Sequence, residues 1–119
     1  MKAIEWRPQA EADASETAWR YALHGGLALG ERFLDALDTT LAHIAAFPEI
    51  GSARHARMIP VLPAPLRLLH VRGFDRYLVY YVDQPTHISV VRIWHASRDL
   101  DALNDTPADA LHVSPDPTE

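Results

Sequence analysis

The chain contains no cysteine. That excludes a disulfide framework, a thiolate metal site and a cysteine nucleophile, and it agrees with a reducing compartment such as the cytoplasm. Lysine is almost missing too: Lys2 is the single one, so every other basic side chain is an arginine. No apolar run approaches the roughly 18 residues that a membrane-spanning helix requires. Glu5, Arg7, Glu11 and Asp13 interrupt any signal-peptide layout at the N-terminus. There is no glycine-rich phosphate loop, since Gly25-Gly26 stands alone. The histidines lack metal-ligand spacing, with no His-x3-His among them. The acids form no recognisable glycosidase or two-metal pair. No metal, cofactor or membrane partner is expected.

What the chain has instead is an uneven distribution of charge around a net −5. Residues 1–49 carry four bases against eight acids. Residues 50–98 carry Arg54, Arg57, Arg67, Arg72, Arg76, Arg92 and Arg98 against only Asp75 and Asp83, a local +5. Residues 99–119 carry six acids and no base. The planar arginine fork matches carboxylates and phosphates, so the central part suits an acidic protein segment or a nucleic acid. A chain of 119 residues is long enough for one domain with a real core. That domain is expected over 1–104. Residues 105–119, with Pro107, Pro115, Pro117 and four acids, read as a disordered acidic tail.

Periodicity orders the elements. Ile4 and Trp6 share one face of a short first strand. Pro8 opens a helix running to about Leu23, with Ala10, Ala14, Ala18, Tyr21 and Ala22 near helical spacing. Gly25-Gly26 breaks it. A second helix over Leu27 to Phe47 presents Phe33, Leu34, Leu37, Leu41, Ile44 and Ala45 as one apolar stripe, and Pro48 ends it. Strands follow over 66–71, 76–82 and 87–95, separated by Gly73 and by Asp83-Gln84-Pro85-Thr86. Short links imply an antiparallel meander. A short helix is expected over 99–104. The class is α+β, in the order β-α-α-β-β-β, with a helical hairpin packed on one face of an antiparallel sheet and the other face left available. Strict alternation in the last strand groups Val91, Ile93 and His95 against Ile88, Val90, Arg92 and Trp94. The second set, taken as the open face, exposes Arg92 and Trp94, although Trp94 suits a core position equally.

The ordered set of local patterns resembles the RelE/ParE superfamily of bacterial toxins, and the ParE-like toxins more specifically, over about residues 2–103. Its carriers are Trp6 and Pro8; Ala28, Phe33, Leu34 and Leu37; Phe47-Pro48-Glu49-Ile50-Gly51; Leu66-Arg67; Val71-Arg72-Gly73-Phe74; Tyr77-Leu78-Val79-Tyr80-Tyr81; and Val90-Val91-Arg92-Ile93-Trp94-His95 with Arg98-Asp99. The resemblance implies the toxin of a type II toxin–antitoxin (plasmid-stabilisation) module. ParE-like members inhibit DNA gyrase by binding it, without an intrinsic reaction. A ParD-like antitoxin neutralises them, its C-terminal segment wrapping the toxin in a hetero-oligomer. RelE-like members instead cleave mRNA in the ribosomal A site.

Two functions are therefore in play. A gyrase binder needs aromatic and arginine anchors, and Arg92, Trp94, His95 and Arg98 fit that chemistry. A metal-independent ribonuclease needs phosphate-binding cations and a proton-transfer group, for which Arg67, Arg92 and His95 are the set. The chain lacks the lysines of many ribosome-acting relatives and has no tyrosine after Arg92, which favours the binder. Direct specific nucleic-acid binding is not expected. Local pairing of Arg98 with Asp99, and His95 as a cap on the strand end, are the structural alternatives for those residues. An acidic antitoxin peptide is expected to reach Arg54, Arg67 or Arg72.

Overall fold

The computed structural model describes residues 1–58 and 64–98. The 99–104 helix, the Arg98–Asp99 pair and the acidic tail over 105–119 lie outside the described residues. The elements follow the expected order: β1 (Ala3–Trp6), α1 (Pro8–Gly25), α2 (Leu27–Ala46), β2 (Leu66–Val71), β3 (Phe74–Asp83) and β4 (His87–His95). No described helix is long and apolar enough to cross a membrane.

Helix α2 forms the main wedge of the core. Its i, i+4, i+8, i+11 series Phe33, Leu37, Leu41 and Ile44 is buried to 4% exposure or less. Each such side chain contributes about 1.5–3 kcal/mol by leaving water. Leu34, counted with that stripe from sequence, is 40% exposed. Phe33 meets Tyr21, Phe74 and Tyr77 ring to ring at centroid separations of 5.5, 5.3 and 5.5 Å. Helix α1 instead buries small residues: Ala10, Ala14 and Ala18. That lets the helices approach until a methyl on Gly30 would sit 2.6 Å from the Ala18 carbonyl oxygen. Glycine is required there for contact, not for backbone freedom.

The sheet order is β1-β4-β3-β2. Strands β2, β3 and β4 form the expected antiparallel meander. The first strand changes the sheet from antiparallel to mixed: β1 runs parallel to β4, with Ala3 opposite His87 and Trp6 opposite Val90. A parallel partner requires a long crossover, and everything between these strands supplies it. Lys2 ties the start of the chain to Asp83 and to the Gln84 carbonyl.

Strict alternation fails in β4. Tyr80 pairs with Arg92 and Tyr81 with Val90, so Val91 is an extra residue in a bulge. A one-residue insertion reverses every later side chain. Ile88 and Val90 therefore join Ile93 against the helices, while Val91 and Trp94 point to the other face. That other face is not left available. Leu66, Leu68, Leu78, Tyr80, Val82, Val91 and Trp94 are at most 3% exposed there. Seven apolar side chains are more than an open face tolerates. Among the described residues, Ala64 packs against this cluster and the His55 ring stacks on Tyr80 at 6.0 Å.

Tyr81 explains the Phe47-Pro48-Glu49-Ile50-Gly51 pattern. Its hydroxyl donates to the Pro48 carbonyl at 2.7 Å and accepts from the Gly51 N–H at 2.9 Å. A Cβ on Gly51 would lie 2.6 Å from that hydroxyl. The turn after α2 is thereby fastened to the middle of the sheet.

Candidate functional site

Two surfaces flank the sheet. The first lies where β1 stops and β4 continues. Val90 still accepts a backbone hydrogen bond, from Arg7, at 3.0 Å. Beyond it α1 takes over the edge. The Asp13 carboxylate accepts from the Ile93 N–H at 3.1 Å, from Arg92 Nε at 2.7 Å and from Arg92 Nη2 at 3.0 Å. Both side chains are only 10% exposed. One buried carboxylate thus satisfies a strand edge and a cation, binding α1 to β4. Taking two charges out of water is costly, and this geometry offsets the cost by filling the acceptor positions.

This settles the position of two expected surface residues. Arg92 is 8% exposed and Trp94 is 1% exposed. Trp94 is a core side chain whose indole N–H has no partner among the described residues. The guanidinium carbons of Arg92 and Arg98 lie 4.8 and 4.1 Å from its ring centroid. Such cation–π contacts hold both cations against the indole face.

His95 and Arg98 do reach the surface. The His95 Nδ1 accepts from the Ser97 N–H at 3.0 Å and meets the Ser97 hydroxyl at 2.6 Å, closing the turn after β4. His95 caps the strand end, as one of its alternatives had it. With Nδ1 accepting, the neutral ring carries its proton on Nε2. The ring stands edge-on to Tyr77 at 4.9 Å. Arg20 of α1 donates to the Tyr77 hydroxyl at 3.4 Å. Glu16 stays 3.8 Å from Arg20, and both are largely exposed. Two adjoining cavities of about 230 Å³ each share Thr17, Arg20, Tyr77 and His95; Arg98 lines the first and His24 the second. The polar cleft is therefore mostly donors.

The second surface lies at the β2 edge, opposite. A groove of about 430 Å³ between α2 and β2 is lined by Thr39, His43, Ile50, Leu69, His70 and Arg72. Arg54 and Arg72 are exposed. Arg67 is committed to the fold, donating to the Gly51 carbonyl at 2.8 Å and the Glu49 carbonyl at 3.4 Å. His55 Nδ1 lies 2.8 Å from the Tyr80 hydroxyl. Burial, and secondarily Arg54, holds the His55 pKa below its usual value.

The ribonuclease set does not converge. Arg67 and Arg92 stand on strands two positions apart, about 10 Å in backbone spacing. Their guanidinium groups are spent on a loop and on Asp13. Residues that sequence reasoning passed over are Asp13, Arg20, Tyr77 and Trp19. Asp13 had a usable signal: it interrupts the alanine stripe of α1 on the same helical face.

The family model for the ParE toxin of the type II toxin–antitoxin system parDE matches residues 4–100. No curated protein matches the chain. A solved structure described as the chromosomal ParDE TA system from P. aeruginosa superposes with a TM-score of 0.65, covering 82% of this chain and 98% of that one at 15% identity. At that identity the likeness is one of fold.

Proposed function

The chain belongs to the ParE toxin family of type II toxin–antitoxin systems, and on that premise we propose that it arrests growth by binding DNA gyrase in the cytoplasm and is neutralised by a ParD-like antitoxin. The observation that carries the binding reading is the fate of the arginines. Arg67 and Arg92, the cations a phosphate-cleaving site needs, each serve the fold. Arg20, Arg98, Arg54 and Arg72 are exposed on two flanks. That distribution suits protein contacts, where arginine anchors dominate.

The antitoxin takes the α2–β2 groove. An acidic amphipathic segment that folds on binding lays apolar side chains against Ile50 and Leu69 and carboxylates against Arg72. Arg54 extends the basic margin, and Arg67 holds the loop that carries Ile50. The product is a toxin–antitoxin hetero-oligomer.

The test is the purified chain titrated into two reactions: supercoiling of relaxed plasmid by gyrase, and mRNA cleavage in translating ribosomes. Loss of supercoiling with intact mRNA is the expected result. Codon-spaced cuts with normal gyrase would overturn it in favour of a ribosome-dependent endoribonuclease. For the antitoxin, Arg72→Glu is expected to weaken cognate binding. Unchanged affinity removes Arg72 from that interface.

A further inference from the structure

Helix α1 is amphipathic in an inverted sense. Its buried face carries Ala10, Ala14 and Ala18, with Tyr21 packed on the core, while two large apolar side chains face out: Trp19 is 63% exposed and Leu23 66%. Leu27, at the start of α2, is 68% exposed. Folding alone gives no reason for this, since a tryptophan left in water contributes little to stability. At helical spacing Trp19 and Leu23 are i, i+4 neighbours. Arg20 lies three residues before Leu23, and Glu16 three before Trp19, so the apolar ridge neighbours two residues that line the cleft shared with Tyr77, His95 and Arg98.

The cleft's own acids do not fill it. Asp13 is occupied by Arg92 and the Ile93 N–H. Among the described residues Glu16 makes only a long, exposed contact. The Tyr77 hydroxyl accepts from Arg20, and neither its proton nor His95 Nε2 has an acceptor among the described residues. Arg98 spends its guanidinium face on Trp94 and keeps its edge. Donors and cations beside an exposed tryptophan ask for carboxylates beside an apolar anchor.

We propose that the outer face of α1, with Trp19 and Leu23 as apolar anchors, Arg20 and Arg98 as cations and His95 as a neutral donor, is the surface that holds the toxin's protein target, through an acidic segment of that target. This rests on the toxin reading but not on gyrase being the target. It assigns the antitoxin and the target to opposite flanks of the sheet.

The experiment expresses the full chain, without antitoxin, as wild type, Trp19→Ala, Leu23→Ala and Arg20→Glu. Growth, thermal melting and capture by the cognate antitoxin are read for each; supercoiling inhibition is read in parallel. The expected result is relief of growth arrest, with target affinity down about tenfold or more for Trp19→Ala, and melting and antitoxin capture unchanged. Variants that arrest growth like wild type overturn the proposal. So does loss of antitoxin capture with arrest retained, which would give the surface to the antitoxin. If the variants relieve arrest but wild type leaves supercoiling intact, the surface stands and gyrase falls. A wild type that does not arrest growth overturns both.

Discussion

The two helices pack on the same sheet by opposite means. Helix α2 supplies volume, with Phe33, Leu37, Leu41 and Ile44 filling the space above the strands. Helix α1 supplies proximity: alanines face inward, and one carboxylate, Asp13, makes the specific attachment to β4. A helix held by volume must turn its large side chains inward. A helix held by close backbone approach and one ion pair is free to present them outward, as Trp19 and Leu23 do.

The sharpest way to break this comparison is to remove one anchor from each helix. Phe33→Ala is expected to cost about 3–5 kcal/mol, the usual range for emptying a buried aromatic position, as read by denaturant unfolding. Asp13→Ala should cost a similar amount, about 3–5 kcal/mol, since it removes the buried carboxylate that holds Arg92 and frees the Ile93 N–H. Here the helices differ in kind. An Asp13→Leu, Arg92→Met double variant should recover much of the loss, whereas no second change near Phe33 replaces its volume. If the Asp13 variant unfolds no more easily than wild type, close approach alone holds α1.

Gly30→Ala tests that approach directly. The added methyl meets the Ala18 carbonyl oxygen, so a loss of about 1–3 kcal/mol is expected, and a neutral result would mean the helices separate freely. Trp19→Ala should change stability by no more than about 0.5 kcal/mol, because the side chain is largely in water. The smallest effect concerns pH. Burial lowers the His55 pKa in the folded protein, so below about pH 6.5 the unfolded chain takes up its proton first. Stability should therefore fall as pH drops through that value, and a His55→Gln variant should show a shallower fall in thermal melts.

Local periodicity made most of the fold legible. The α2 stripe and the bounds of β2 and β4 were readable because burial repeats along a single segment. What escaped was non-local. The Val91 bulge is defined only by its partners Tyr80 and Tyr81, and without it the faces of β4 are misassigned and Trp94 is placed toward solvent. The parallel docking of β1 depends on a strand at the far end of the domain. Asp13 and Arg92 lie 79 positions apart, so neither announces the other. At the candidate site, His95 and Arg98 were legible as a charged cluster at a strand end. Arg20 and Tyr77, which complete the cleft, come from other elements.

The parallel pairing of β1 with β4 also orders events in time. Strand β1 has no partner in this sheet until His87–Val90 has been made, and such distant pairings form late because loop closure must come first. Lys2 waits for Asp83 in the same way. A copy terminated before His87 has no closed sheet, so the chain becomes a folded toxin only after nearly the whole domain has been translated.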